Sequence, residues 1–316
     1  MVSNKKFNFK RILAIIIAVI LLFSAVSLAV TKIVYDGIFV RYDCEITDYP
    51  EELSEMISKR ETKGFVSGKN TLSGYLYRSQ ATVTHDTLII LAPGFNACAD
   101  SFLWQIKSLL DYGWSVFAFN TTGCCTSEGD SSIGFPQEVY DIKAALKCVE
   151  IVDRFGYNNI VLLGHSRGGY AACCALDFDY NIAAVVSISG INSAMEGVIG
   201  SSAEYVGPLA YGNYGFLWSY QAMLFGTKTL NLDAAKEISE SNVPVLIVHG
   251  ENDSQVPLDR YSIISHKKEI TSKNVEYVIC SDPESSGHTD LLFKEDGTAN
   301  DDLMKQINSF LERAVK

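Results

Sequence analysis

The sequence predicts an α/β protein: a mostly parallel eight-stranded sheet with helices on both faces, a small aromatic-rich cap, and one transmembrane helix in front. Three observations carry this reading. Beyond residue 64, short apolar runs alternate with longer segments whose apolar residues fall at helical spacing, the order that builds a covered parallel sheet. Between residues 191 and 240 the alternation gives way to an aromatic stretch too long for a simple connection. Ahead of everything, residues 12–30 contain no charge, close to the roughly 20 apolar residues that span a bilayer as a helix.

Taken in order, residues 1–34 form a unit of their own. Lys5, Lys6, Lys10 and Arg11 precede the apolar run, and such a basic flank stays in the cytoplasm while the body is exported. The run is longer than the roughly 7–15 residues of a secretory signal core, which favours a retained anchor. Ser27-Leu28-Ala29 offers small residues at cleavage spacing, so a cleaved signal is the alternative. Residues 35–63 read as a polar connector, and 64–316 as the enzyme-sized domain. Its first two strands lie in residues 64–77 around a Gly68-Lys69-Asn70 turn. Residues 87–91 make a short strand buried on both faces, Asp100 is placed to cap the next helix, and 114–119 is a strand. Pro136 opens a helix carrying Val139, Ile142, Leu146 and Val149 on one face. Further strands are expected at 160–163, 183–188, 243–248 and 275–280, and a last helix at 301–314. The insertion at 191–240, with Tyr205, Tyr211, Tyr214, Phe216, Trp218, Tyr220 and Phe225, reads as a cap over the sheet's carboxyl edge.

Composition narrows the function. With 47% hydrophobic and 20% charged residues the chain is globular. The net charge is −11, and every acid lies beyond residue 34, so the exported body is strongly acidic and unsuited to nucleic acid. The eight cysteines form no C-x-x-C pair and no zinc pattern. Most sit in apolar runs and read as small buried hydrophobes rather than a disulfide framework.

The chemistry gathers at three strand ends. Gly164-His165-Ser166-Arg167-Gly168-Gly169 follows one strand directly and opens a helix. A G-x-S-x-G sequence in that context forces a tight turn that exposes the serine hydroxyl. Serine needs a histidine to take its proton, and the histidine needs a carboxylate to fix its tautomer. Of five histidines, His165 is inside the turn and expected to point away from the serine's partner, while His85 precedes a strand and His266 lies on a predicted surface helix. His249 ends a strand and reads as structural. His288, in Ser285-Ser286-Gly287-His288, is the one free to reach Ser166. Asp253, just past the strand ending at His249, is the matching acid, with Glu251 the runner-up. For the oxyanion, the N–H groups of Arg167 and Phe95 are the candidates, because Pro93 has none and Gly94 permits close approach.

The chain order Ser166, Asp253, His288 resembles that of the α/β hydrolases, in the branch holding serine aminopeptidases, monoglyceride lipases and bacterial esterases. The resemblance runs from about residue 64 to the C-terminus and rests on Gly164-His165-Ser166-Arg167-Gly168, on His249-Gly250-Glu251-Asn252-Asp253 and on Ser286-Gly287-His288. Where that branch usually has His-Gly, this chain has Pro93-Gly94. Where it has D-x-R-G-x-G-x-S, this chain reads Asn120-Thr121-Thr122-Gly123-Cys124-Cys125-Thr126-Ser127. The resemblance implies an α/β-hydrolase fold and serine hydrolysis without metal or cofactor. The expected partners are a small or lipid-like ester and, through the first helix, the membrane. A peptide substrate is the alternative, with Glu196 and Glu204 available to hold an amine. A non-catalytic binding module on the same fold is the rival of a different class.

Overall fold

In the computed structural model residues 9–44 and 49–315 are described; the side chains of residues 204–206 and 209 lie outside that description, as do Lys5 and Lys6 of the basic flank. Helix α1, Phe9–Ile38, contains the apolar run and is long and apolar enough to cross a membrane. Helix α2, Glu51–Ser58, leads into the sheet. The eight strands are β1 Glu61–Ser67, β2 Asn70–Tyr77, β3 Thr87–Ala92, β4 Ser115–Phe119, β5 Asn159–His165, β6 Ile182–Ile188, β7 Val245–Gly250 and β8 Val275–Cys280. They are ordered β1-β2-β4-β3-β5-β6-β7-β8. β1 and β2 form the antiparallel hairpin around Gly68, β2 pairs antiparallel with β4, and the remaining pairs are parallel.

Alternation along the strands sends side chains to two cores. Leu88, Ile90, Leu162, Val185 and Ile247 face one layer, which includes α4 (Phe135–Ile151), α5 (Arg167–Cys174) and α9 (Ala234–Glu240). Ile89, Leu91, Val161, Ala184 and Val248 face the other, with α3 (Leu103–Asp111) and α10 (Asp301–Ala314). β3, β4 and β7 are buried along their whole length, which is why they read as continuous apolar runs. Burying each such Leu, Ile or Val is worth about 1.5–3 kcal/mol. Trp114 ties α10 to this layer: its indole N–H donates to Asn308 Oδ1 at 2.7 Å, and its ring stacks on His85 at 3.6 Å.

Between β6 and β7, in the stretch read as a cap, lie α6 (Ala194–Val206), α7 (Leu209–Gly212) and α8 (Tyr214–Leu230), before α9 returns to the sheet layer. The C-terminal end of α1 is part of the same body. Thr31, Tyr35 and Phe39, spaced four apart, are buried, and Tyr35 and Phe39 join the core.

Two local expectations are corrected. Asp100 caps nothing: a 3-10 turn over Ala99–Phe102 begins before it, and its carboxylate is taken by Arg60 at 2.6 Å and Tyr49 at 2.8 Å. Among the cysteines, Cys44 and Cys125 are joined in a disulfide rather than acting as core thiols. Residues 39–44 fold back across the 121–127 loop, with Tyr42 bridging Cys124, and so bring Cys44 to Cys125. Cys98, Cys124, Cys148, Cys173 and Cys174 are free and buried, as a reading of small hydrophobes requires.

Candidate active site

The turn between β5 and α5 holds Ser166 at φ 55° and ψ −118°, a conformation costly for any residue but glycine. The glycines around it explain how the turn closes. A Cβ on Gly164 would fall 2.1 Å from the Gly168 carbonyl oxygen, and one on Gly168 would fall 2.3 Å from that of Ala92. No side chain fits at either position, so strand, helix and the 92–95 loop approach one another here. The Ser166 N–H donates to the Ile188 carbonyl at 2.8 Å, fixing the turn to the neighbouring strand.

Asp253 and His288, 35 residues apart, meet at the ends of β7 and β8. His288 Nδ1 lies 2.7 Å from Asp253 Oδ2, and both side chains are buried. The carboxylate's other oxygen, Oδ1, accepts the N–H groups of Gln255 at 2.9 Å and Val256 at 2.8 Å. Burial pushes the Asp253 carboxyl up, but hydrogen bonds from His249, His288 and Val256 outweigh it and hold the pKa well below the usual range. An ionised Asp253 accepts from Nδ1–H of His288, which leaves Nε2 free to take a proton. Glu251, the runner-up acid, is exposed. Among the described residues the Ser166 hydroxyl makes no hydrogen bond to His288, a separation common in sites without substrate.

Further residues hold His288 and Asp253 in place, and the contacts of His165 and Ser189 with His288 were not read from the sequence. His165 does not point away: its Nε2 lies 2.9 Å from the His288 carbonyl oxygen, with the rings 4.8 Å apart. Burial, then the nearby His288, pushes the His165 pKa down to about 3, so the ring is neutral and donates from Nε2. Ser189 Oγ donates to the same carbonyl at 3.4 Å. His249, read as structural, is fully buried and donates from Nε2 to the Val256 carbonyl at 2.8 Å; the same nitrogen lies 3.3 Å from Asp253 Oδ2. Adjacent turns are zipped together by Asn252, whose side chain donates to Ser286 Oγ at 2.8 Å and whose N–H reaches the Ser286 carbonyl at 3.0 Å.

The candidate oxyanion donors are the N–H groups of Phe95 and of Arg167, the residue after Ser166. A Cβ on Gly94 would come within 3.2 Å of Ser166 Cβ, so the loop carrying Phe95 runs against the serine. Arg167 opens α5, where the first N–H groups lack acceptors within the helix. Its side chain turns inward and pairs with fully buried Glu138 at 2.7 Å, bonds Thr121 Oγ1 at 3.0 Å and sits 5.7 Å from the Phe95 ring centroid. Burial pushes the Glu138 carboxyl up to about 8, opposed by Arg167. Thr121 belongs to the stretch where the chain departs from the D-x-R-G pattern, so Arg167 and Glu138 brace that loop from beneath. Glu196, one candidate for holding a substrate amine, is engaged with His266 at 3.3 Å; the Glu204 side chain lies outside the described residues.

With fold and site described, comparison with known proteins agrees on the architecture. A family model described as the alpha/beta hydrolase fold matches residues 87–204. Among solved structures, the chain is similar to the Pyrococcus furiosus esterase Pf2001 at 16% identity and a TM-score of 0.66, covering 88% of this chain and 99% of that one. It is similar to Est1E from Butyrivibrio proteoclasticus, solved with ferulic acid, at 17% identity and 0.60, covering 80% and 99%. An esterase from Exiguobacterium antarcticum follows at 14% and 0.51, covering 79% and 98%. A search of curated protein sequences finds no match. The chain has the α/β-hydrolase fold.

Proposed function

We propose that this chain is a serine hydrolase of carboxylic esters, held by α1 at the outer face of the cytoplasmic membrane. Ser166 attacks the ester carbonyl while His288 Nε2 takes its proton. Asp253 holds His288 in the required tautomer and stabilises its cation. The N–H groups of Phe95 and Arg167 receive the oxyanion, and His288 returns the proton to the leaving alcohol. Water then resolves the acyl-enzyme by the same route. The observation that carries the reading is the 2.7 Å contact between Asp253 and His288 beside a serine at φ 55°. No step needs a metal or cofactor. The esterase names of the similar structures support ester over amide cleavage. The basic flank and the apolar length of α1 support export and anchoring.

A fluorophosphonate probe tests the central claim. It should label the wild-type protein and fail on Ser166→Ala, and a panel of acyl esters against aminoacyl amides should show turnover of the esters. Absence of labelling in folded protein would leave a binding module on this fold; labelling with amide turnover alone would make it a peptidase.

A further inference from the structure

Helix α1 does more than precede the domain. Its outer half lies along the cap. Phe23 packs edge-on against Phe216 of α8, with ring centroids 6.2 Å apart. Thr31 Oγ1 accepts from the Asn213 side chain at 3.0 Å, the Tyr220 hydroxyl donates to Asp36 at 2.5 Å, and Tyr35 donates to Gln221 at 3.2 Å. These contacts fix the level of the cap relative to α1. Residues 12–31 carry no charge, and at 1.5 Å per residue they cover about 30 Å, the thickness of the hydrocarbon layer. Phe23 is eight residues inside the outer end of that span, about 12 Å along the helix, so Phe216, 6.2 Å from it ring to ring, sits beneath the outer boundary. Sliding the chain outward does not free the cap. It would draw Lys10 and Arg11 about 10 Å into hydrocarbon.

The cap's own composition points the same way. Residues 205–227 contain no charged residue, in a body otherwise strongly acidic. Among the described residues, the large apolar side chains left exposed at the cap's tip and along α8 are Tyr211, Tyr214, Met223 and Leu224, and Tyr is a residue favoured at the membrane interface. A charge-free, aromatic surface continuous with a transmembrane helix is a poor match to water and a good one to lipid.

We propose that the tip of the cap, α7 and the first turns of α8, is sunk into the outer leaflet beside α1, and that the site takes its ester laterally from that leaflet. The placement of the cap follows from α1 crossing the membrane; only the substrate clause rests on the hydrolase reading above. The path to the chemistry is short. Tyr35 packs on Phe39 at 4.5 Å, and Phe39, buried, packs on Phe95 at 5.4 Å and Phe135 at 5.3 Å. The chain leaving the membrane helix is therefore packed, through Phe39, against the side chain of the candidate oxyanion residue, and lipid that reaches the cap is near the candidate site.

Depth quenching with the full chain in phosphatidylcholine–phosphatidylglycerol vesicles decides the placement. Tyr214→Trp, in a Trp218→Phe background, reports from the tip; Val83→Trp, on an exposed loop of the body, reports from water. Lipids brominated along the acyl chain should quench the tryptophan introduced at 214 at least twofold more than the one at 83. Equal quenching would overturn the placement. Fluorophosphonate labelling of each variant checks the fold, and Tyr211→Trp is a second reporter should Tyr214→Trp misfold. For the substrate clause, the double change Tyr211→Asp and Tyr214→Asp should lower turnover of a long-chain ester dispersed in the vesicles about tenfold while leaving a soluble short-chain ester unchanged. An equal loss on both, or no loss on either, would refute lateral supply. If the wild type cleaves neither ester, the hydrolase reading fails while the quenching result still stands on its own.

Discussion

Replacing Asp253 by Asn tests the site at its most constrained atom. The two oxygens of Asp253 have different duties. Oδ1 accepts two backbone N–H groups, at 2.9 and 2.8 Å, and Oδ2 faces His288 Nδ1 at 2.7 Å. An amide has one oxygen, and turning its NH2 toward the two N–H donors would set donors against a donor. The oxygen must therefore stay at the Oδ1 position, and the NH2 must face His288. His288 can then meet it only through an unprotonated Nδ1, which places the ring proton on Nε2 and removes the acceptor that Ser166 needs. A wrong tautomer in such a site costs about 10⁴ in kcat, equivalent to about 5.4 kcal/mol in the barrier at about 1.36 kcal/mol per decade. The fold should persist, because the amide keeps both backbone donors. The assay is steady-state hydrolysis of a chromogenic ester, with urea unfolding to confirm structure and the His288 Nδ1–H proton resonance as a second readout. That resonance should be present in wild type and absent in the variant. Folded Asp253→Asn with kcat within tenfold of wild type would refute the tautomer argument and the assignment of Asp253 with it.

Three other outcomes follow from the same geometry. His249→Ala removes the donor to the Val256 carbonyl and opens a buried cavity, so stability should fall by about 2–4 kcal/mol; kcat should fall less than about tenfold because Asp253 keeps His288, Gln255 and Val256, and a hundredfold loss in well-folded protein, read from urea midpoints beside kcat, would make His249 part of the reaction. Reducing the Cys44–Cys125 disulfide, which closes a separation of 81 residues, should cost up to about 4.5 kcal/mol on the loop-entropy estimate, seen as a lower melting temperature that Cys44→Ser reproduces and that reductant does not lower further. Acid should weaken the fold through His165: with its folded pKa at about 3 and an unfolded value near 6.5, the unfolded chain alone binds a proton between those limits, so stability drops as pH falls through that window, by up to about 1.4 kcal/mol per unit. Asp253 acts lower still, since its contribution is present above its ordinary carboxylate pKa and is lost only as pH falls through its depressed one; His165→Gln, which can still donate to the His288 carbonyl, should flatten the slope between pH 6.5 and 4.5 in urea midpoints, and an unchanged slope would remove His165 as its source.

What the sequence made legible was whatever is encoded over a few neighbouring residues. A strand buried on both faces must be apolar throughout, so β3 and β7 could be read directly. The turn at Ser166 needs small residues where strand and helix cross, so its glycines marked it. The disulfide, the direction of His165 and the docking of α1 were hidden for the opposite reason. Cys44 meets Cys125 only because Tyr42 and Val40 fold back onto a loop 80 or more residues away. His165 lies within hydrogen-bond reach of a carbonyl 123 positions later. Tyr35 and Phe39 fell in the stretch read as a polar connector, and their partners in the cap and the 92–95 loop carry no local mark.

The meeting of Asp253 with His288 lies between these cases, and the sheet explains why it could be anticipated. β7 and β8 pair in parallel with His249 opposite Ile279 and Gly250 opposite Cys280, so both chains leave the sheet at the same level. From that edge the acid is three residues on and the histidine eight. The longer loop must fold back, and Asn252 clamps it where it passes, by bonding Ser286 twice. Gly250 is required at that crossing, since a Cβ there would fall 2.1 Å from the Ser286 carbonyl oxygen. The residue types of the two loops offer Asp253 and His288 as candidates, but strand register and one asparagine decide that they touch. The same level in the sheet brings the His288 carbonyl to His165 and Ser189, so His288 is held from the strand that leads into Ser166 as well as from Asp253.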